Sequence, residues 1–139
     1  SQIIRTAGEI PTILATCCSD PERIRSYEDL GCQVVTVPER EGMTDLPELM
    51  KLLGARNIDS ILLEGGAGLN ACALKSGIVN RVQAYIAPKL FGGAAARSPV
   101  GDPGVDSPSE AYRLTRPRIT YLGEDILLES EVISCLPES

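Results

Sequence analysis

The chain has 139 residues, of which 43% are hydrophobic and 23% are charged, a balance typical of one soluble globular domain. Its formal net charge of −6 argues against a basic face for nucleic acid and against a polybasic membrane patch. No apolar run reaches the roughly 18 residues that a membrane span requires, and no charged-then-apolar leader is present, so neither a span nor a signal peptide is expected.

Cysteine and histidine content narrows the chemistry further. The chain has five cysteines without a regular framework and no histidine. A Ser-His-Asp or Cys-His catalyst therefore cannot be built from this chain alone, and a structural zinc site would need other ligands. We expect a cytoplasmic protein without disulfides or metal, in which the adjacent Cys17 and Cys18 are small residues at a strand end.

The first part of the chain alternates predicted strands and helices. Strands are predicted at 11–18, 32–38, 60–64 and 81–88, with helices between them over about 20–30, 45–55 and 67–76. Asp20 before Pro21 is a helix-start signature, and Gly31 supplies the stop. Asp45 and Glu48 have the spacing of a capping box.

This alternation implies right-handed crossovers and a mainly parallel sheet with helices on both faces. The apolar run Ile61–Leu63 should then be a strand buried on both faces. Residues 92–108 are rich in glycine and proline and predict a long loop. Residues 118–133 predict an antiparallel hairpin at one sheet edge, with its turn at 123–125. No repeat is present, and no linker divides the chain, so a single domain is expected.

The stretch "SILLEGGAGLNACALKSGI" places an acid and two glycines where the third predicted strand meets a helix. In open α/β sheets ligands bind beyond the carboxyl ends of parallel strands. Bare Gly65 and Gly66 would let a ligand approach the backbone, and a helix start offers unpaired N–H groups to phosphate. One interpretation is a diphosphate cradle. The other is a purely structural turn, because the stretch is not G-x-G-x-x-G and has no Walker lysine.

Residues 60–101 resemble the reductase half of the bifunctional riboflavin-biosynthesis deaminase/reductase, which has a dihydrofolate-reductase-like fold. The resemblance rests on Glu64–Gly66 with Leu69, on the strand "YIAPKLFGG", on the loop "ARSPVG" and on the closing "LGEDILLESEV". It implies a three-layer α/β domain with a mainly parallel sheet, helices on both faces and a C-terminal antiparallel hairpin.

The same resemblance implies an NADPH-dependent reduction of 5-amino-6-(5-phosphoribosylamino)uracil, in which the ribose opens to a ribityl chain. Glu64 would reach the substrate side as a polar anchor that orients a neutral donor. Otherwise it is a solvated strand-end acid or a helix-dipole partner. Lys89 and Arg97 are expected to be exposed charges. The residues that would line the cofactor diphosphate are Gly66, Ala67, Gly68, Leu69, Asn70, Ala71 and Cys72.

Members of this family have a further N-terminal strand and loop, and the zinc-deaminase pattern H-x-E with P-C-x-x-C has no match here. Residues 1–139 are therefore expected to be the C-terminal portion of a reductase domain, with little or no activity alone, and to form a homodimer through the 118–133 hairpin. Two alternatives stay open. One is a related reductase acting on another pterin or pyrimidine, and the other is a non-catalytic nucleotide-binding or dimerisation module.

Overall fold

The computed structural model describes residues 1–93, 96, 98–101 and 104–133. The chain divides into two compact units, Ser1–Ile61 and Leu62–Ser139. Both helices and strands are present, so the expected α/β composition is confirmed. Within the described residues, no helix is both long enough and apolar enough to cross a membrane.

The first unit contains one parallel βαβ motif. Strand β1 (Ile13–Thr16) pairs in parallel with β2 (Gln33–Thr36), and helix α2 (Pro21–Glu28) connects them. A short helix α1 (Gln2–Arg5) precedes the motif. After it come β3 (Glu39–Arg40), β4 (Met43–Thr44) and helix α3 (Leu46–Gly54). Buried apolar side chains in this unit are those of Ala7, Cys32, Val35 and Val37.

Local sequence explains where α2 begins and ends. The Asp20 carboxylate accepts the Glu22 N–H at 3.0 Å, and Pro21 occupies the first helical position, where no N–H is needed. Gly31 follows the helix with φ +91°, and a Cβ there would lie 2.8 Å from the Gly8 backbone. Both its backbone angle and its packing therefore require glycine.

Helix α3 confirms half of the predicted capping box. The Asp45 carboxylate accepts the Glu48 N–H at 3.0 Å, as the spacing predicts. The reciprocal bond is replaced, because the Asp45 N–H donates to the Pro38 carbonyl at 2.9 Å. The Glu48 carboxylate instead pairs with Lys51 at 3.1 Å. The cap therefore fixes the helix start through one side chain rather than two.

The second unit is built on an antiparallel sheet around a long central strand. Helix α4 (Ala67–Lys75) precedes β5 (Arg81–Ile86), β6 (Arg113–Leu114), β7 (Arg118–Leu122) and β8 (Asp125–Ile133). Strand β8 pairs antiparallel with β5 on one side and with β7 and β6 on the other. The predicted 118–133 hairpin is confirmed, with Gly123 at positive φ in its turn, and β7 pairs with no described strand other than β8.

Residues 60–64 do not form the predicted third strand. The backbone there is neither helix nor strand, and Ile61, Leu62 and Leu63 are 51%, 71% and 41% exposed. The prediction that this run is a strand buried on both faces is therefore wrong for this structure. An apolar run shows that a segment favours burial, but a strand also needs a neighbouring backbone with which to pair.

The expected mainly parallel sheet is not found among the described strands either. Only β1 and β2 pair in parallel, whereas every pairing of β8 is antiparallel. The sequence pattern predicted β5 as a strand, but periodicity does not specify the partner of a strand. Because β5 pairs with β8 rather than with a strand that precedes it, the larger sheet is antiparallel.

The structure also adds elements that sequence patterns did not predict. Residues 39–44 form the β3–β4 hairpin, whose turn residues Glu41 and Gly42 both have positive φ. That geometry is typical of a two-residue hairpin turn. Helix α1 and strand β6 were also missed. All three are shorter than the windows over which periodicity can be read.

Candidate functional site

The segment Glu64–Cys72 lies wholly within the second unit and contains the start of α4. Gly66 is the N-cap residue, with φ −72° and ψ 169°, and it has no side chain that could cap the helix. The first intrahelical bond runs from the Asn70 N–H to the Gly66 carbonyl at 3.1 Å. The N–H groups of the residues between them have no partner within the helix, which makes them available to an anion.

The three glycines of this segment have different physical roles. A Cβ at Gly65 would lie 2.7 Å from Cδ2 of Leu69, so a side chain there would have to displace the Leu69 side chain. Cβ atoms at Gly66 and Gly68 would meet nothing within 4 Å among the described residues, and neither glycine has a positive φ. Packing therefore explains why residue 65 is a glycine. Neither packing nor backbone conformation explains why residues 66 and 68 are glycines.

Gly68 in particular lowers the stability of the helix, although neither packing nor φ among the described residues requires a glycine there. Glycine in the middle of a helix destabilises a protein by roughly 0.5–1 kcal/mol relative to alanine, since it loses more conformational freedom on folding, and Gly68 is the second residue of α4. At this position an alanine methyl group would fit. A diphosphate needs bare backbone and open space at a helix start, and among the described residues Gly66 and Gly68 provide both, so these residues fit such a group.

The remaining residues of the predicted cradle point in different directions. Ala71 is 8% exposed, so its methyl group faces the interior of the unit together with Ala73. Leu69 is partly exposed and covers Gly65, whereas Ala67 and Cys72 are half-buried. The exposed side of the helix start thus consists mainly of Gly66 and Gly68.

The Asn70 side chain forms a hydrogen bond with another part of the chain. Its side-chain amide donates to the Pro99 carbonyl at 2.9 Å. Two residues further on, the Gly101 N–H donates to the Ala67 carbonyl at 2.9 Å. The family resemblance included the loop "ARSPVG", but the sequence did not predict that this loop contacts the helix. A glycine two residues after a proline was the signal for close backbone approach.

Glu64 is exposed, and its carboxylate has no hydrogen-bond or ion-pair partner within the part of the chain that the structure describes. It precedes the helix start by two residues, so the structure places it beside the glycines.

Lys89 is exposed, as expected, and Arg97 lies outside the described residues. Among those described, no group of three acidic, cysteine or histidine residues could hold a metal ion.

The fold is similar to that of two solved proteins. RibD of Acinetobacter baumannii superposes with a TM-score of 0.66 at 24% identity, over 79% of this chain and 29% of that chain. A pyrimidine reductase-like protein of Corynebacterium diphtheriae gives 0.67 at 23% identity, over 88% of this chain and 49% of that chain. At these identities the likeness shows the fold alone, a mixed α/β domain.

Sequence comparison gives the family. The profile of the RibD C-terminal domain matches residues 2–128. The riboflavin biosynthesis protein RibD of Actinobacillus pleuropneumoniae is 45% identical over 97% of this chain and 36% of that protein. A 2,5-diamino-6-ribosylamino-4(3H)-pyrimidinone 5′-phosphate reductase of Methanothermobacter thermautotrophicus is 36% identical over 89% of this chain and 56% of that protein. The chain therefore belongs to the RibD C-terminal domain family.

Proposed function

We propose that this chain is the cofactor-binding part of an NADPH-dependent reductase in riboflavin biosynthesis. Its substrate would be 5-amino-6-(5-phosphoribosylamino)uracil, and its product the ribitylamino pyrimidine. Family membership supports the pathway. The observation that carries the cofactor proposal is the backbone at Gly66 and Gly68, which is open among the described residues and which neither their packing nor φ explains.

The residues of the helix start would hold the diphosphate through their backbone. The N–H groups of Ala67, Gly68 and Leu69 have no partner among the described residues, and they point from the positive end of α4, which favours a negative group. NADPH would supply a hydride to C1′ of the ribose, while a proton goes to the ring oxygen that is released as the C1′–O bond breaks. The chain's contribution is to fix the cofactor so that this transfer occurs at short range.

Glu64 would act on the substrate side of the same site. Its carboxylate is exposed and unpartnered among the described residues, so it is free to accept a hydrogen bond from a neutral donor on the pyrimidine. Such an anchor orients the substrate without forming a covalent bond. No described residue is assigned as a proton donor, and the catalytic acid stays unassigned.

A second substrate has specific support. The Methanothermobacter thermautotrophicus relative is named as a reductase of a 2,5-diamino pyrimidinone phosphate, which carries an amino group where the uracil has an oxygen. Steady-state kinetics of the intact protein with both pyrimidines would separate the two. We expect NADPH oxidation with the uracil to have the higher kcat/KM. A higher kcat/KM with the diamino compound would assign that compound as the substrate. Failure to bind NADPH would refute the proposed function.

We further propose that the intact domain has the dihydrofolate-reductase-like arrangement and forms a homodimer in the cytoplasm. Cys17, Cys18 and Cys32 form no disulfide among the described residues, which agrees with a reducing compartment. The dimer is supported by the sheet of the second unit. Ile119 and Tyr121 lie directly opposite Leu128 and Ile126, so the four side chains share one face, and the two on β7 are exposed.

A further inference from the structure

The loop at residues 98–101 is seated on the first turn of α4 by two hydrogen bonds. The Asn70 amide donates to the Pro99 carbonyl, and the Gly101 N–H donates to the Ala67 carbonyl, both at 2.9 Å. A third bond shapes the loop itself, from the Val100 N–H to the Ser98 hydroxyl at 3.3 Å. Asn70 is the side chain that ties this loop to the helix.

The contact between the 98–101 loop and the first turn of α4, called the seat below, lies against the peptide group that joins Ala67 to Gly68. A Cβ at Gly101 would lie 3.1 Å from the Ala67 carbonyl carbon and 3.2 Å from the Gly68 nitrogen. Gly101 has no positive φ, so this close approach is the reason that glycine suits the position. The loop therefore touches the same peptide group whose N–H, at Gly68, is one of the donors offered to a diphosphate.

We propose that Asn70 is a positioning residue for the cofactor, acting through the 98–101 loop rather than by touching the diphosphate. This inference rests on the proposed function, in which the start of α4 binds NADPH. Asn70 is half-buried, and its amide is already engaged by Pro99, so it has a partner before any ligand arrives. Seating the loop in advance fixes the Ala67–Gly68 peptide in its binding orientation and avoids ordering it when NADPH binds.

Three variants of the intact protein test whether Asn70 acts on NADPH binding through the 98–101 loop. Asn70→Leu has nearly the same shape without the amide donor, and Asn70→Gln retains the donor. Gly101→Ala disturbs the seat from the loop side without changing Asn70. Hydrogen exchange of the Gly101 N–H reports the seat directly, without cofactor. Titrations with NADPH and with the pyrimidine substrate report each dissociation constant, and thermal unfolding reports global stability.

We expect Asn70→Leu to expose the Gly101 N–H to exchange and to weaken NADPH binding about five- to tenfold, the worth of one hydrogen bond. Pyrimidine binding should change less than about twofold, since general loss of structure would affect both ligands. Asn70→Gln should largely restore both the protection and the NADPH affinity. Because the two changes break one seat, Asn70→Leu combined with Gly101→Ala should be little worse than either alone.

Two results would overturn the inference while leaving the proposed function intact. Additive losses in the double variant would mean that Asn70 contacts the cofactor directly. Loss of Gly101 protection with unchanged NADPH affinity would mean that the seat has no bearing on the cofactor. If the unmodified protein binds no NADPH, the proposed function fails and the positioning role fails with it, whereas the exchange data would still report the seat.

Discussion

Gly65 and Gly66 are neighbours with opposite reasons for lacking a side chain. The space beside Gly65 is filled by Leu69, with its Cδ2 atom 2.7 Å from where a Cβ would lie. Beside Gly66 the space is open among the described residues, and its φ of −72° is available to any residue. Substitutions at the two positions should therefore separate folding from binding.

Gly66→Thr should weaken NADPH binding by about tenfold or more, equivalent to about 1.4 kcal/mol, because a β-branched side chain would occupy the diphosphate position. Threonine and glycine are comparable N-cap residues, so the free energy of unfolding should change by less than about 0.5 kcal/mol. Isothermal titration and urea unfolding measure the two quantities. Unchanged NADPH affinity would mean that Gly66 is only part of a turn.

Gly65→Ala is the matched control for that experiment. The added methyl group must displace Leu69, which is partly exposed and can move, so the cost should be about 1 kcal/mol in unfolding free energy. NADPH affinity should fall less than in Gly66→Thr. The reverse order of effects on binding would place the diphosphate at Gly65 instead.

Glu64→Gln should weaken binding of the pyrimidine about tenfold, the worth of one charged hydrogen bond, and leave the NADPH dissociation constant unchanged. The carboxylate is exposed and has no partner among the described residues, so stability should not change measurably. Substrate titration in the presence of an oxidised cofactor measures the effect. Equal affinity for the pyrimidine would leave Glu64 as a solvated acid.

At the scale of elements, β8 holds the second unit together. It is the strand with which β5, β6 and β7 all pair, and its Leu127 is buried at 9% exposure. On the same side, Glu129 accepts a hydrogen bond from Gln83 at 3.0 Å and pairs with Arg118 at 3.4 Å. These partners come from the strands on either side of β8, so one acid links three strands.

Leu127→Ala should lower the free energy of unfolding by about 2–3 kcal/mol, through lost burial and the cavity left behind. Leu122→Ala is the control, because Leu122 is exposed in the same hairpin and its loss should cost less than about 0.5 kcal/mol. Chemical denaturation of both variants measures the difference. Equal costs would show that the sheet does not contribute to the cooperative core.

At the scale of the whole molecule, self-association should depend on one face of the hairpin. Tyr121 is 74% exposed and shares its face with Ile119, Ile126 and Leu128. Tyr121→Asp would place a charge in a buried dimer interface, so the homodimer proposed above should dissociate. Leu122→Asp changes the next residue, which points to the opposite face, and should leave the dimer intact.

Sedimentation velocity at micromolar concentration distinguishes these outcomes. A monomeric unmodified protein would contradict the dimer. A dimer that survives Tyr121→Asp would place the interface on another surface.

The sequence by itself determined the elements whose signals are local. A helix start is set by side chains within three residues, so Asp20 and Asp45 located α2 and α3 without reference to the rest of the chain. The β7–β8 hairpin is also local, since a short turn with Gly123 at positive φ brings its strands together. The glycines of the α4 start were identified on the same basis, together with the family resemblance.

The tertiary structure decided which strands pair and which backbones touch. The run 60–64 was apolar enough for a buried strand, yet it has no ladder, because pairing depends on a second segment that local sequence does not specify. Antiparallel pairing of β5 with β8 joins residues about 40 positions apart or more, and the seating of Gly101 on Ala67 joins residues 34 apart. Such contacts follow from chain packing, and only the folded arrangement distinguished Gly65, fixed by packing, from Gly66, left open.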